Sequence, residues 1–251
     1  MRRRPRVYFS FRSPYSWIAI DQLERRFPRA GEYLDYCPYW EPEGGILQDI
    51  RAQDAEVLYT PMSKAKHLYL LADIKRTAAR FGSPLVWPID TDQAWELPHL
   101  AWLKARRQGQ ERVLYRALVE ARWHRGEPIC DPSVLARAAD EAGLDGADLV
   151  AAEHDPLIRA EAVEVMVAAY YDDIFGIPYF RIGRERLWGL DRLDEFVAAL
   201  EAAHPDREGA PAPQPQPQPQ PRPESRLIPV PPADAAEHIG LYDRDTAGGC
   251  G

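Results

Sequence analysis

The chain has 251 residues, 45% of them hydrophobic, and a formal net charge of −8. That length supports one sizeable core or two small ones, and the acidic balance argues against a nucleic-acid or polyanion partner, which a basic surface would serve. No run approaches the ~20 apolar residues of a membrane span, so no membrane partner is expected.

In chain order, the basic start Met1-Arg2-Arg3-Arg4-Pro5-Arg6 is followed by Val7-Tyr8-Phe9 and then at once by polar Ser10 and Arg12. No secretory apolar region forms there, and a cytoplasmic protein is expected. Residues 6–11 read as a strand. Pro14 suits the first turn of a helix, because its missing N–H would be unpaired there anyway. That helix carries Trp17, Ile18, Ile20, Leu23 and Phe27, and stops near Pro28 and Gly31. Residues 32–40 read as a second strand, so the chain opens β–α–β, with a parallel pair joined by a crossover helix. Residues 41–61 are irregular, with a short helix around 47–50. Helices are predicted over 66–81, 95–108, 111–125, 132–142, 147–154 and 156–172, with a loop over 88–92, Asp131 as an N-cap and Gly143 as a stop. Strands return at 177–182 and 185–188 around a Gly183-Arg184 turn, and a last amphipathic helix covers 191–203. The Pro/Gln alternation over 211–223 favours extended polyproline II, and the tail from 205 onward is expected to be disordered.

The three cysteines, Cys37, Cys130 and Cys250, are odd in number and far apart. They form neither a disulfide framework nor a zinc spacing, so no metal is expected and the thiols read as packed or incidental.

Chemistry concentrates at two places. Ser13 precedes the first helix, where unpaired backbone N–H groups and the positive end of the dipole converge. A hydroxyl there is a natural N-cap, and it can also donate a hydrogen bond to a thiolate and lower a bound thiol's pKa. Late in the chain stands Phe175-Gly176-Ile177-Pro178-Tyr179-Phe180. A cis Ile177–Pro178 bond would let Ile177 offer its N–H and C=O to an extended ligand; a trans proline on an edge strand is the alternative, and sequence does not decide between them. The Asp172-Asp173 pair adds negative charge just before this loop.

The opening Tyr8-Phe9-x-Phe11-x-Ser13-Pro14-Tyr15-Ser16-Trp17 resembles the start of the 2-hydroxychromene-2-carboxylate isomerase family. Similar pieces follow in order: Lys66-x-x-Tyr69, Phe81-Gly82-x-Pro84, Ala121-x-Trp123, Asp131-x-x-Val134-Leu135, Ala142-Gly143-Leu144-Asp145, the Gly176-Ile177-Pro178 loop and Trp188-Gly189-x-Asp191-Arg192-Leu193. That family is related to kappa-class glutathione transferases and DsbA-like proteins. The resemblance implies an α/β thioredoxin-like fold with an all-α, DsbA-type helical insertion. Its parts are expected at 1–62 (first thioredoxin-like part), 63–172 (insertion), 173–204 (second part) and 205–251 (Pro/Gln-rich tail).

The implied cofactor is glutathione or another low-molecular-weight thiol, and the implied partner is a small-molecule substrate; a homodimer is the implied oligomer. Ser13 matches the serine that hydrogen-bonds the sulfur and would be the catalytic group. Lys66, Ile177, Pro178 and Asp191 match cofactor-binding positions, with Asp191 also a candidate cap of the last helix. Trp123 and Trp188 are expected in the core, and Trp95, Trp102 and Tyr115 as walls of an aromatic pocket. The chain departs from the family pattern in three respects. Ser10 stands where an acid is usual, asparagine is absent from the whole chain, and Leu190 replaces a polar residue. The expected function is a thiol-dependent isomerase of an aromatic or unsaturated carbonyl compound. A kappa-like transferase, and a non-catalytic accessory or binding protein of a specialised-metabolite pathway, are the alternatives. Lack of Cys-x-x-Cys at residues 13–16 argues against a disulfide oxidoreductase.

Overall fold

The structure is a computed structural model and describes residues 4–83, 85–90 and 94–204. Strand β1 (Arg6–Phe9) leads into α1 (Pro14–Arg26), a short α2 (Ala30–Tyr33) and β2 (Asp35–Pro38). β1 and β2 pair in parallel from Arg6↔Asp35 to Phe9↔Pro38, as the β–α–β opening predicts. Helices follow: α3 (Gly44–Arg51), α4 (Lys64–Arg80), α5 (Glu96–Arg107), α6 (Glu111–Val119) with a π-helical turn (Glu120–His124), α7 (Pro132–Glu141), α8 (Gly146–Val150) with a 3₁₀ turn (Ala151–His154), and α9 (Pro156–Tyr171). The chain then returns to the sheet through β3 (Tyr179–Ile182) and β4 (Glu185–Trp188), and ends in a 3₁₀ turn (Leu190–Arg192) and α10 (Leu193–Ala203). The sheet order is β2-β1-β3-β4, with β1–β3 and β3–β4 antiparallel. The predicted tail lies outside the described residues, and the 88–92 loop is described only as far as Asp90. No helix among the described residues is long and apolar enough to cross a membrane.

Local chemistry explains most boundaries. Ser13 caps α1 by accepting from the Ser16 N–H, Pro14 fills the first turn, and Arg25 and Arg26 sit at the negative end of the dipole. The second strand is shorter than predicted because Arg29 takes a left-handed φ of 67° and the chain winds into α2 first. β3 starts at Tyr179 rather than Ile177, since Pro178 has no N–H to give a ladder. Gly183, at φ +59°, is the first residue of the two-residue turn between β3 and β4, as a hairpin turn favours.

β1 is central, and Val7, Tyr8 and Phe9 are all buried. One continuous core joins them to Phe180 and Phe196 on one side and to α5, α6, α7 and α9 on the other. A second cluster of Tyr15, Trp17, Ile18, Ile74, Ala78 and Trp123 packs α1 against α4, where the Tyr15 hydroxyl donates to Asp73 Oδ2 at 2.7 Å.

The β1–β3 register places Arg6 directly opposite Arg181. Two facing cations repel, and Asp172 resolves the conflict. Its buried carboxylate takes a hydrogen bond from Arg6, one from Arg181 Nη1 at 2.8 Å and one from the Tyr8 hydroxyl at 2.7 Å. Asp173 pairs with Arg186 at 2.6 Å. The Asp172-Asp173 pair therefore lays no free negative charge before the proline loop, contrary to the sequence expectation. Removing one partner of a buried charge cluster strands the others. Asp172→Ala should lower stability by about 3–5 kcal/mol, read as a shift in the urea midpoint, with Asp172→Asn losing less. An unshifted Asp172→Ala midpoint would contradict this role.

Candidate functional site

Because β1 and β3 run antiparallel with Tyr8 opposite Tyr179, the loop leaving β1 and the loop entering β3 emerge at the same end of the sheet. Ser10 and Arg12 of the first loop and Gly176 and Ile177 of the second line one narrow, open cleft. Its remaining walls are Tyr39, Trp40 and Glu41 after β2, with Tyr59 and Trp95. The Ile177–Pro178 peptide is cis. Gly176 is required by a close approach. A Cβ there would lie 2.5 Å from Trp188 Nε1, so Trp188, 38% exposed and edge-on to Phe175, covers this loop instead of joining the core as expected.

Ser13 is completely buried. Its Oγ accepts from the Ser16 N–H at 3.2 Å, and its own hydrogen is committed to no acceptor among the described residues. It does not itself line the cleft; Ser10 and Arg12 of the same loop do. Arg12 pairs with Glu41 at 3.2 Å and lies 5.7 Å from the Trp95 ring centre. Burial raises the Glu41 carboxyl above its usual range, against the pull of Arg12. Trp95 is held from behind by Arg122. That guanidinium sits 4.6 Å from the Trp95 ring and 4.5 Å from Trp123, and forks onto Asp90 with two 2.8 Å bonds. The π-helical turn that carries Arg122 buries Ala121, Arg122 and Trp123 consecutively.

Ser10 has a partner that the sequence did not reveal. Its Oγ lies 3.1 Å from Nε2 of His99, a fully buried residue of α5. The Phe11 N–H donates to the same nitrogen at 3.3 Å, and Nδ1 lies 2.6 Å from the Trp95 carbonyl. An amide N–H only donates and a carbonyl only accepts. The imidazole must therefore be neutral, with its proton on Nδ1. Trp40 stacks on the ring at 5.0 Å, and burial pushes the His99 pKa down to about 4. Trp40 also lines the cleft, and its indole N–H finds no acceptor among the described residues.

The other expected positions stand farther out. Pro178 is buried in the proline loop, and its carbonyl accepts from the Gly189 N–H at 2.9 Å. Lys66 is exposed on the first turn of α4, seven residues before Asp73 and so on the same helix face. Asp191 has 74% of its side chain exposed, with Arg192 Nε at 3.6 Å. It does not cap the last helix. Arg192 holds that position without a side-chain bond, and Asp191 lies inside the 3₁₀ turn that packs on α1. Neither Lys66 nor Asp191 lines the cleft. Leu190 packs between the two core clusters, which is why an apolar residue stands there. Of the three expected aromatic walls only Trp95 faces this cleft; Trp102 and Tyr115 line a separate small pocket with Phe9 and Ile20. Trp123 is core, as expected. Burial pushes the Cys37 thiol up to about 12, away from a thiolate, and Cys130 is buried.

The family model of the DsbA-like thioredoxin domain matches residues 6–201. A 2-hydroxychromene-2-carboxylate isomerase from Sphingobium xenophagum is 30% identical over 191 residues, covering 74% of this chain and 92% of that protein. One from Pseudomonas putida is 26% identical over 199 residues, covering 77% and 92%. Among solved structures, a 2-hydroxychromene-2-carboxylate isomerase overlays with a TM-score of 0.59 at 22% identity, covering 79% of this chain and 95% of that one. A probable DsbA oxidoreductase from Streptomyces coelicolor overlays with 0.60 at 17% identity, covering 83% and 93%. The overlays establish a DsbA-like thioredoxin fold.

The neutral state of His99 has a thermodynamic consequence. The unfolded chain takes up a proton near the ordinary histidine value of 6.5, whereas the folded imidazole resists until about 4. Its contribution to stability is complete above pH 6.5 and drains away as pH falls toward 4. Between pH 7 and pH 5 this amounts to about 2 kcal/mol. Urea unfolding across that range should show the loss in the wild type and a flatter profile in His99→Gln; equal slopes would contradict the assignment.

Proposed function

We infer the function of this chain from its family and its cleft: it belongs to the DsbA-like thioredoxin domain family and, within it, to the 2-hydroxychromene-2-carboxylate isomerase family, and we propose that it is a thiol-dependent isomerase of an aromatic or unsaturated carbonyl compound. The observation that carries this reading is the meeting of Ser10 and Arg12 with Gly176 and Ile177 in one cleft at the start of α1. The residues suit a thiol. The first turn of a 13-residue helix offers its positive end, and Ser13 has a hydroxyl hydrogen to give. When bound, glutathione or a similar thiol supplies a sulfur nucleophile that adds to the substrate and leaves again, which permits rotation about the bond between.

The chain's own residues do the rest. Ser13 donates to the sulfur and holds it as the anion, aided by the helix dipole. Ile177 borders the cleft with its backbone beside Pro178, and Asp191 offers a carboxylate to the thiol's ammonium group. Lys66, on the face of α4 that docks on α1, is a cation for an acidic group of cofactor or substrate. Trp40, Tyr59 and Trp95 give a flat apolar ring surfaces to lie against. Arg12 and Glu41 give this cleft its charged pair.

A second reading, a binding module without thiol chemistry, is favoured by one observation: Ser13 is closed to solvent and stands outside the cleft walls. Calorimetry against glutathione and mycothiol separates the two. The isomerase reading predicts binding of a thiol by the wild type, weakened about tenfold or more in Ser13→Ala, the worth of a hydrogen bond to a charged group. It also predicts thiol-dependent conversion of 2-hydroxychromene-2-carboxylate, followed by absorbance. Binding that Ser13→Ala leaves unchanged removes the role of that hydroxyl, and absence of any thiol binding favours the module.

A further inference from the structure

We infer that Ser10 is a specificity-determining residue of the cleft, presenting a hydrogen-bond acceptor to the ligand, and that His99 is the positioning residue that sets this polarity. The inference rests on the reading that the cleft of Ser10, Arg12 and Ile177 is where the substrate lies, and it adds what kind of group the floor of that cleft takes.

A serine hydroxyl ordinarily turns to suit whatever it meets, as donor or acceptor. Ser10 is not free to do so. Nε2 of His99 carries no proton, because the Phe11 N–H already points at it. The contact of 3.1 Å between that nitrogen and Ser10 Oγ is a hydrogen bond only with the serine as donor, its hydrogen sharing the single Nε2 lone pair with the Phe11 N–H. The Arg12 N–H donates to Ser10 Oγ at 3.2 Å. One donor and one acceptor site of the hydroxyl are thus used inside the protein, and one lone pair remains. Ser10 is also a wall of the cleft, which makes that lone pair the available valence for a ligand.

His99 cannot relax this arrangement. Its Nδ1–H is held by the Trp95 carbonyl at 2.6 Å, its face by Trp40, and it is fully buried. Moving the proton to Nε2 would aim a bare nitrogen at the carbonyl and an N–H at the Phe11 amide, and turning the ring over would put carbon atoms at both places, each unfavourable. The two hydroxyls of the loop thus have opposite characters: Ser13 has a hydrogen to give and Ser10 has a lone pair. A substrate with a hydroxyl or N–H at this point is favoured over the corresponding ether or oxyanion.

The test uses the full chain and two aromatic probes, one with a hydroxyl hydrogen to give and one without, 2-naphthol and 2-methoxynaphthalene, by calorimetry. The wild type should prefer the naphthol by about fivefold, the worth of one net hydrogen bond. In Ser10→Ala the preference should vanish while the ether binds as before. In parallel, ¹⁵N-resolved imidazole spectra of the wild type should show His99 neutral with its proton on Nδ1 from pH 8 to pH 5, a readout that needs neither ligand nor variant. A preference that survives in Ser10→Ala, or a His99 that carries its proton on Nε2 or is charged at pH 7, overturns the inference and leaves the thiol reading standing. Binding of neither probe by the wild type overturns the cleft as a substrate site, and this inference with it.

Discussion

Asp172 sits between two arginines that the strand register forces to face each other, and the site depends on that arrangement. Arg6 and Arg181 are partners across β1 and β3, and without a shared anion their repulsion would oppose the pairing that defines the sheet. With Asp172 and the Tyr8 hydroxyl in place, the register holds. The loop after Phe9 then meets the loop before Tyr179. Catalytic possibilities on this scaffold follow from that meeting. It brings a helix N-terminus, two hydroxyls and the backbone of Ile177 to one end of the sheet, although their residues lie near opposite ends of the folded chain.

The two hydroxyls of the loop after β1, both buried, divide the labour by position. Ser13 is locked under the first turn of α1 as its cap, with a spare hydrogen. Ser10 faces the cleft with its hydrogen already given to His99. Aromatic walls surround this polar floor, and the wall of Trp95 is itself braced by Arg122 and Asp90. The same carbonyl of Trp95 that orients His99 belongs to a residue of the cleft wall. Wall and floor are therefore coupled through one short segment at the start of α5.

Much of this could be read from residues alone, where local rules decide. The β–α–β opening, the caps at Ser13 and Asp131, the turn at Gly183 and the run of helices between the sheet halves follow from periodicity, proline and glycine placement. Long-range partners were hidden. Asp172 reads as loose negative charge until the register puts two arginines beside it. His99 lies in α5, a helix buried over residues 97–103, with nothing in the sequence to distinguish it, and only the fold brings it to Ser10. The one available signal was the replacement of a usual acid by Ser10, which marked that loop as different without naming a partner. Trp188 was misread because its cover over Gly176 depends on a close approach that no spacing announces. Asp191 was misread as a cap because a 3₁₀ turn precedes α10.

The central claim is that a borrowed sulfur is held as an anion where the Ser13 hydroxyl meets the start of α1. Ultraviolet absorbance of the thiolate, titrated with pH on the protein–glutathione complex, measures this directly. The bound thiol should ionise well below its value in free solution, and Ser13→Ala should move it back toward that value. A bound thiol that titrates as it does in water, with or without Ser13, would contradict it.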